Sequence, residues 1–233
     1  MSILECKNLT KSYRRGHPVI ENMNLRVPEG RIVGLLGPNG CGKSTLIKLI
    51  AGLLQVDSGE ILVDGQPLGE GSRALISYLP ERPYFSGGQT VMQLLDFFKD
   101  FYEDFDKERA LQLLQDLSID PKAKMRTLSK GTKEKVQLIL VMSRQAKLYL
   151  LDEPIAGVDP AARDYILRTI VGNYNPEGTL IITPHLITAV EQVLDDYIFL
   201  AYGGQVVSSG NAEEVRNATG KSLDVLFKEV FGC

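Results

Sequence analysis

The first apolar positions of the chain fall in short runs broken by turn formers: SILECKNLTKSY from Ser2, GHPVIENMNLRV from Gly16 and EGRIVGLLG from Glu29. Runs of this length, rich in β-branched residues, predict strands. GEILVDGQPL, from Gly59, adds a hairpin turning at Asp64-Gly65. Between these segments, GKSTLIKLIAGLL has helical spacing and follows a glycine-rich stretch. The chain therefore opens with antiparallel strands mixed with a strand, loop and helix unit.

From Val91 to Met142 the period changes. VMQLLDFFKDFY, DKERALQLLQDL and KEKVQLILVMSRQA place apolar residues at i, i+3, i+4 and i+7, which predicts an inserted block of helices. Strands and helices then alternate through KLYLLDEP, PAARDYILRTIVGNY, TLIITPH, LITAVEQVL and DDYIFLAYGGQVVSSG. Such alternation predicts an α/β fold built on a largely parallel, doubly wound sheet. In SLDVLFKEVF, Leu223, Leu226, Phe227, Val230 and Phe231 share one face, for docking on the core first and on a partner second. There is no internal repeat and no low-complexity tract.

Composition narrows the class. With 233 residues, 44% hydrophobic and 24% charged, the chain matches a globular protein with a sizeable core. A net charge of −3 argues against bulk nucleic-acid binding. Cys6, Cys41 and Cys233 lack metal-ligand spacing and are odd in number, so a reducing cytosol is expected. The N-terminus MSILECKN has no secretory pattern, and the longest apolar run, Tyr197 to Tyr202, is far short of the ~18 residues of a membrane span. Work at a membrane would need a partner that supplies the spans.

The chemistry concentrates in GPNGCGKST, which fits G-x-x-x-x-G-K-[ST] between an expected strand and an expected helix. Gly37, Pro38, Asn39, Gly40, Cys41 and Gly42 would form a loop whose backbone N–H groups wrap phosphates. Lys43 would reach the terminal phosphates, Ser44 would ligate Mg²⁺, and Thr45 would touch the α-phosphate. Cys41, near a helix N-terminus, is expected either to be alkylatable and protected by ATP or to be a small loop residue. LYLLDEP puts Asp152 and Glu153 at the end of an apolar strand, where α/β sheets bind ligands. Asp152 would hold Mg²⁺ through water, and Glu153 would activate the attacking water. TLIITPH ends a strand at His185 in the same way, though by residue type alone a lone histidine is structural first and catalytic second.

The order of these motifs resembles the ATP-binding subunit of ABC transporters over nearly the whole chain. Gly37–Thr45 matches the Walker A loop, Leu148–Glu153 matches Walker B, Gly157–Pro160 the D-loop and His185 the switch histidine. Tyr13, in TKSYRRG, matches the aromatic that stacks on adenine; by residue type alone it would be a strand aromatic packing on a neighbour. LSKGT at Leu128–Thr132 matches the family's signature LSGGQ, with Lys130 and Thr132 as departures. Ser129 would cap the helix and, with the Gly131 N–H, bind a γ-phosphate; without the other motifs the stretch reads as an ordinary capped helix with solvated lysines. Glu81 stands where the family has a glutamine: either a metal ligand that lowers turnover or alters metal dependence, or a surface glutamate.

The resemblance implies a P-loop NTPase fold with a mostly parallel core sheet, an antiparallel β subdomain and a helical subdomain. Residues 1–80 and 145–233 would form the nucleotide-binding core, and 81–144 the helical subdomain. It further implies an ATPase using ATP and Mg²⁺, paired head-to-tail with a second copy or related chain, and driving a membrane-spanning subunit from the cytoplasmic face. The loop from Glu81 to Phe85 would meet that subunit, or Pro83, Tyr84 and Phe85 would pack on their own helices. Glu81, LSKGT and FYEDFD look most like bacterial ABC-2, Ytr-type exporter subunits. A soluble ABC ATPase acting on nucleic acid or ribosomes is the competing class, with Lys122, Lys124, Arg126, Lys130, Lys133 and Lys135 as its patch. A small-molecule kinase is a third, which leaves the signature unexplained.

Overall fold

In a computed structural model, the described residues are all but Arg15, Pro83, Ser86, 156–159 and Cys233, and the side chains of Pro160, Ala161 and Ala162. The chain begins with the antiparallel pair β1 (Ser2–Arg14) and β2 (His17–Pro28). It then enters a second sheet as β3 (Ile32–Leu36), followed by α1 (Lys43–Ile50). β4 (Ser58–Val63) and β5 (Gln66–Pro67) return to the first sheet, whose order is β2-β1-β4-β5. Asp64 and Gly65, at φ 51° and 71°, supply the two left-handed residues that a tight hairpin between β4 and β5 requires.

After the short α2 (Glu70–Ala74), β6 (Ile76–Leu79) joins the second sheet at its edge. The helical block follows as α3 (Val91–Phe101), α4 (Lys107–Asp116) and α5 (Lys130–Met142). Thr90 and Gln93 form a capping box on α3, and Asp106 caps α4 by accepting from the Arg109 N–H at 2.9 Å. β7 (Leu148–Asp152), α6 (Pro160–Asn173), β8 (Thr179–Thr183), α7 (Ile187–Val190), β9 (Asp196–Ala201) and β10 (Gln205–Asn211) complete the sheet, and α8 (Ala212–Thr219) and α9 (Leu223–Phe231) end the chain. The order is β10-β9-β3-β8-β7-β6, parallel throughout except for the β9–β10 pair. β3, β7 and β8 are buried along their whole length, as strands covered on both faces must be.

α5 joins two cores. Val136, Ile139 and Leu140 pack with α3 and α4, whereas Leu138, Val141 and Met142 pack with the sheet and α6. Just beyond its end, Arg144 is 2% exposed, pairs with both carboxylate oxygens of Asp104 at 2.9 and 3.0 Å, and lies 3.8 Å over the Tyr102 ring. Its guanidinium also donates to the carbonyls of Ile76 and Ala74, tying the helical block to β6. On α9, Phe227 and Phe231 pack on Phe199, as core docking requires, while Val230 stays exposed. Among the described residues no helix is long and apolar enough to cross a membrane.

Candidate functional site

β3 delivers the chain into the glycine loop. A Cβ on Gly37 would lie 2.2 Å from the Leu200 carbonyl oxygen, so only glycine fits there. Gly42, at φ 111°, is the N-cap of α1; no side chain caps this end and no acid occupies the first turn. A helix start left open in this way presents N–H groups to an anion. Pro38 is half-buried, whereas Asn39 and Gly40 are exposed at the rim of the loop. Lys43 Nζ donates to the carbonyls of Gly37 and Pro38 at 2.7 and 3.1 Å, which holds the ammonium over the loop.

Cys41 differs from one expectation. It is 0% exposed, its sulfur lies where a Gly37 Cβ would clash with it, and burial pushes the thiol up against the opposing pull of Lys43. The side chain faces the core, so it is not an accessible reactive thiol; only its backbone belongs to the loop surface. The alternative of a small packing residue describes it.

Ser44 Oγ donates to Asp152 Oδ1 at 2.9 Å across 108 residues of sequence. Thr183 Oγ1 donates to the same oxygen at 2.9 Å, a partner that the sequence reading missed. Its signal was the parallel register, which sets Thr183 beside Asp152 at the ends of β8 and β7. Thr183 also accepts the Glu153 N–H, through its carbonyl and its hydroxyl, both at 3.0 Å. Glu153 sits at φ 52°, a left-handed conformation that a non-glycine residue adopts only where its surroundings enforce it. These bonds aim the residue off the strand into a cavity of about 30 Å³ that it shares with Glu81, Glu134 and Gln137.

The remaining predicted residues lie around this centre. Tyr13 is 59% exposed, and its hydroxyl is 3.3 Å from Thr45 Oγ1, so its ring stands beside the loop rather than packed on a strand neighbour. His185 is exposed just beyond β8. Glu81 is exposed just past β6, 3.7 Å from Arg82. Ser129 caps α5, accepting from the Thr132 N–H at 3.1 Å, with Gly131 exposed in the first turn. Lys130 is 83% exposed and pairs with Glu134 at 3.8 Å. Of the D-loop match, Gly157, Val158, Asp159 and the Pro160 side chain lie outside the described residues.

A phosphate loop after one central parallel strand, and a carboxylate after another with a single strand between them, define a P-loop nucleotide hydrolase; the antiparallel sheet and helical block are additions to that core. Residues 20–156, more than half of the chain, match the family described as ABC transporter. The chain belongs to that family and is an ATPase of its type. It is 31% identical to the ABC-type transporter ATP-binding protein EcsA of Bacillus subtilis, over 99% of this chain and 97% of that one. It is 33% identical to the lipopolysaccharide export system ATP-binding protein LptB of Haemophilus influenzae, over 93% and 94%. A solved ATP-binding subunit of an ABC transporter superposes with a TM-score of 0.84 at 30% identity, covering 99% of this chain and all of that chain.

Proposed function

We propose that this chain binds and hydrolyses ATP to power an exporter-type transporter, acting in the cytoplasm on the inner face of the membrane through a separate membrane-spanning subunit. The observation that carries the site is the 2.9 Å contact between Ser44 and Asp152, which joins the phosphate loop to the acid-bearing strand. Two hard oxygen donors at this spacing fit Mg²⁺, which is bound by one or two carboxylates together with substrate phosphates. Bound there, the ion would offset charge on the β- and γ-phosphates. Glu81, which lines the cavity with Glu153 and not with Ser44 or Asp152, is a second candidate ligand.

Lys43 and the loop N–H groups hold the β- and γ-phosphate oxygens, and Tyr13 stacks on the adenine. Glu153 accepts the proton of the water that attacks the γ-phosphorus; the bond to the β,γ-bridging oxygen breaks and ADP leaves. His185, exposed at the neighbouring strand end, donates to the γ-phosphate. Ser129 and Gly131, at an uncapped-by-acid helix start, complete the site of a second chain.

The division into 1–80 with 145–233 as nucleotide core and 81–144 as helical part gives the membrane subunit its place. A groove of about 1060 Å³ runs between the two, lined by Leu53, Tyr78, Tyr84 and Phe101, of which Leu53, Tyr84 and Phe101 are at least 61% exposed. Exporter type is supported by LptB, whose name places it in an export system. The test is Glu153→Gln. ATP binding is retained, turnover falls by about 10²-fold or more, and an ATP-dependent dimer accumulates on a sizing column. Wild-type turnover in that variant would falsify the assignment of the base.

A further inference from the structure

Gln137 lies midway along α5, and the reaction described above leaves it unused. It is 1% exposed, and neither its Oε1 nor its Nε2 has a hydrogen-bond partner among the described residues. An unpaired buried amide costs stability, and a leucine or methionine would suit its apolar neighbours Leu138 and Val141 better. The residue does, however, line the small cavity it shares with Glu153, Glu81 and Glu134. A space of about 30 Å³ holds a water molecule or two. Carboxylates gathered around so small a space repel one another. A neutral amide offers water there both a donor and an acceptor without adding charge.

We propose that Gln137 is a positioning residue for ATP hydrolysis: it holds water in this cavity that donates to the Glu153 carboxylate and fixes its direction. The inference rests on Glu153 acting as the base. It also ties the two halves of the reaction together through one rigid element. Gln137 follows Ser129 by about two helical turns on α5, so the helix end that meets a partner's γ-phosphate carries the group that orients this chain's own base. Glu134 lies between them on the same helix, pairing with Lys130 at 3.8 Å and lining the same cavity.

The experiment uses Gln137→Met, which keeps volume and removes both polar atoms, and Gln137→Asn, which keeps the amide on a shorter stem. Steady-state ATPase assays should show kcat about tenfold lower in Gln137→Met, the worth of one hydrogen bond to a charged group. KM for ATP should stay within about twofold, because the γ-phosphate contacts are untouched. Tm should not fall, since an unpaired amide has left the core. Gln137→Asn should recover part of the lost kcat. Full kcat in Gln137→Met overturns the proposal, and so does a loss matched by a lowered Tm with Gln137→Asn no better. Glu153→Gln, assayed alongside, separates the two readings: normal turnover there removes the base itself, whereas loss there with normal Gln137→Met removes only the water link.

Discussion

Lys43 shows how much a single side chain is asked to do. Its ammonium rests on the carbonyls of Gly37 and Pro38, and exchanging those for phosphate oxygens trades neutral acceptors for charged ones. Lys43→Ala should therefore weaken ATP binding by about 10- to 100-fold, measured by titration calorimetry, while Tm without nucleotide changes little. Cys41 and Cys6 make the opposite case, side chains present for packing. Mass spectrometry after brief alkylation of the folded protein should find Cys41 unlabelled with or without Mg-ATP, and labelled once denaturant opens the core. Protection that depended on ATP would return Cys41 to the exposed side of the loop. Burial pushes the Cys6 thiol from 9.0 up to about 12, so the folded state keeps a proton that the unfolded chain releases. Stability is then intact below pH 9.0 and declines as pH rises toward about 12, by ~1.4 kcal/mol per pH unit. Cys6→Val should flatten that alkaline decline in denaturant titrations, and an unchanged slope would show that the thiol does not govern it.

At the scale of elements, the contact between Arg144 and Asp104 is the seam most exposed to mutation. Asp104→Ala leaves a buried guanidinium with the Tyr102 ring and carbonyls but no counter-charge, which should cost about 2–3 kcal/mol and lower Tm by about 4–10 °C. Scanning calorimetry reads this directly, and an unchanged Tm would mean that the carbonyls of Ile76 and Ala74 suffice. Most elements were legible because each had a period: the buried runs of β3, β7 and β8, and the i, i+3, i+4 spacing of α3 to α5. β6 was not, because four residues followed by Pro80 carry too little pattern, and its strand identity comes from pairing with β7. The run after His185 reads as one helix, yet only Ile187–Val190 is α-helical before a tighter turn leads to β9. At the site, the loop and the acids were legible as motifs. Thr183 and Gln137 were not, since a strand threonine and a helix glutamine acquire meaning only from what lies across the sheet or the cavity.

The whole molecule raises the question of why α5 starts with lysines. Its first turn contains no acid, and Ser129 is committed to its own helix, so the partial positive charge of that end is left for something outside the chain. Among the described residues Lys130 pairs with Glu134, and its side chain stays 83% exposed. If the absent anion is the γ-phosphate held on another copy's Gly37–Thr45 loop, each chain carries two half-sites that fail independently. Ser129→Asp puts a negative charge at the helix start and should block ATP-driven pairing without touching the chain's own loop; Lys43→Ala should disable the loop and leave the helix start intact. Either variant alone, made in the Glu153→Gln background, should remain monomeric with ATP. Mixed in equal amounts, they form one pair in which the intact loop of one faces the intact helix start of the other. Light scattering should then detect a dimer, and quantitation should find one ATP per dimer rather than two. Dimerisation of Ser129→Asp alone would detach the signature helix from the second chain's nucleotide, and a mixture that stays monomeric would show that one complete site is too weak to hold two chains together.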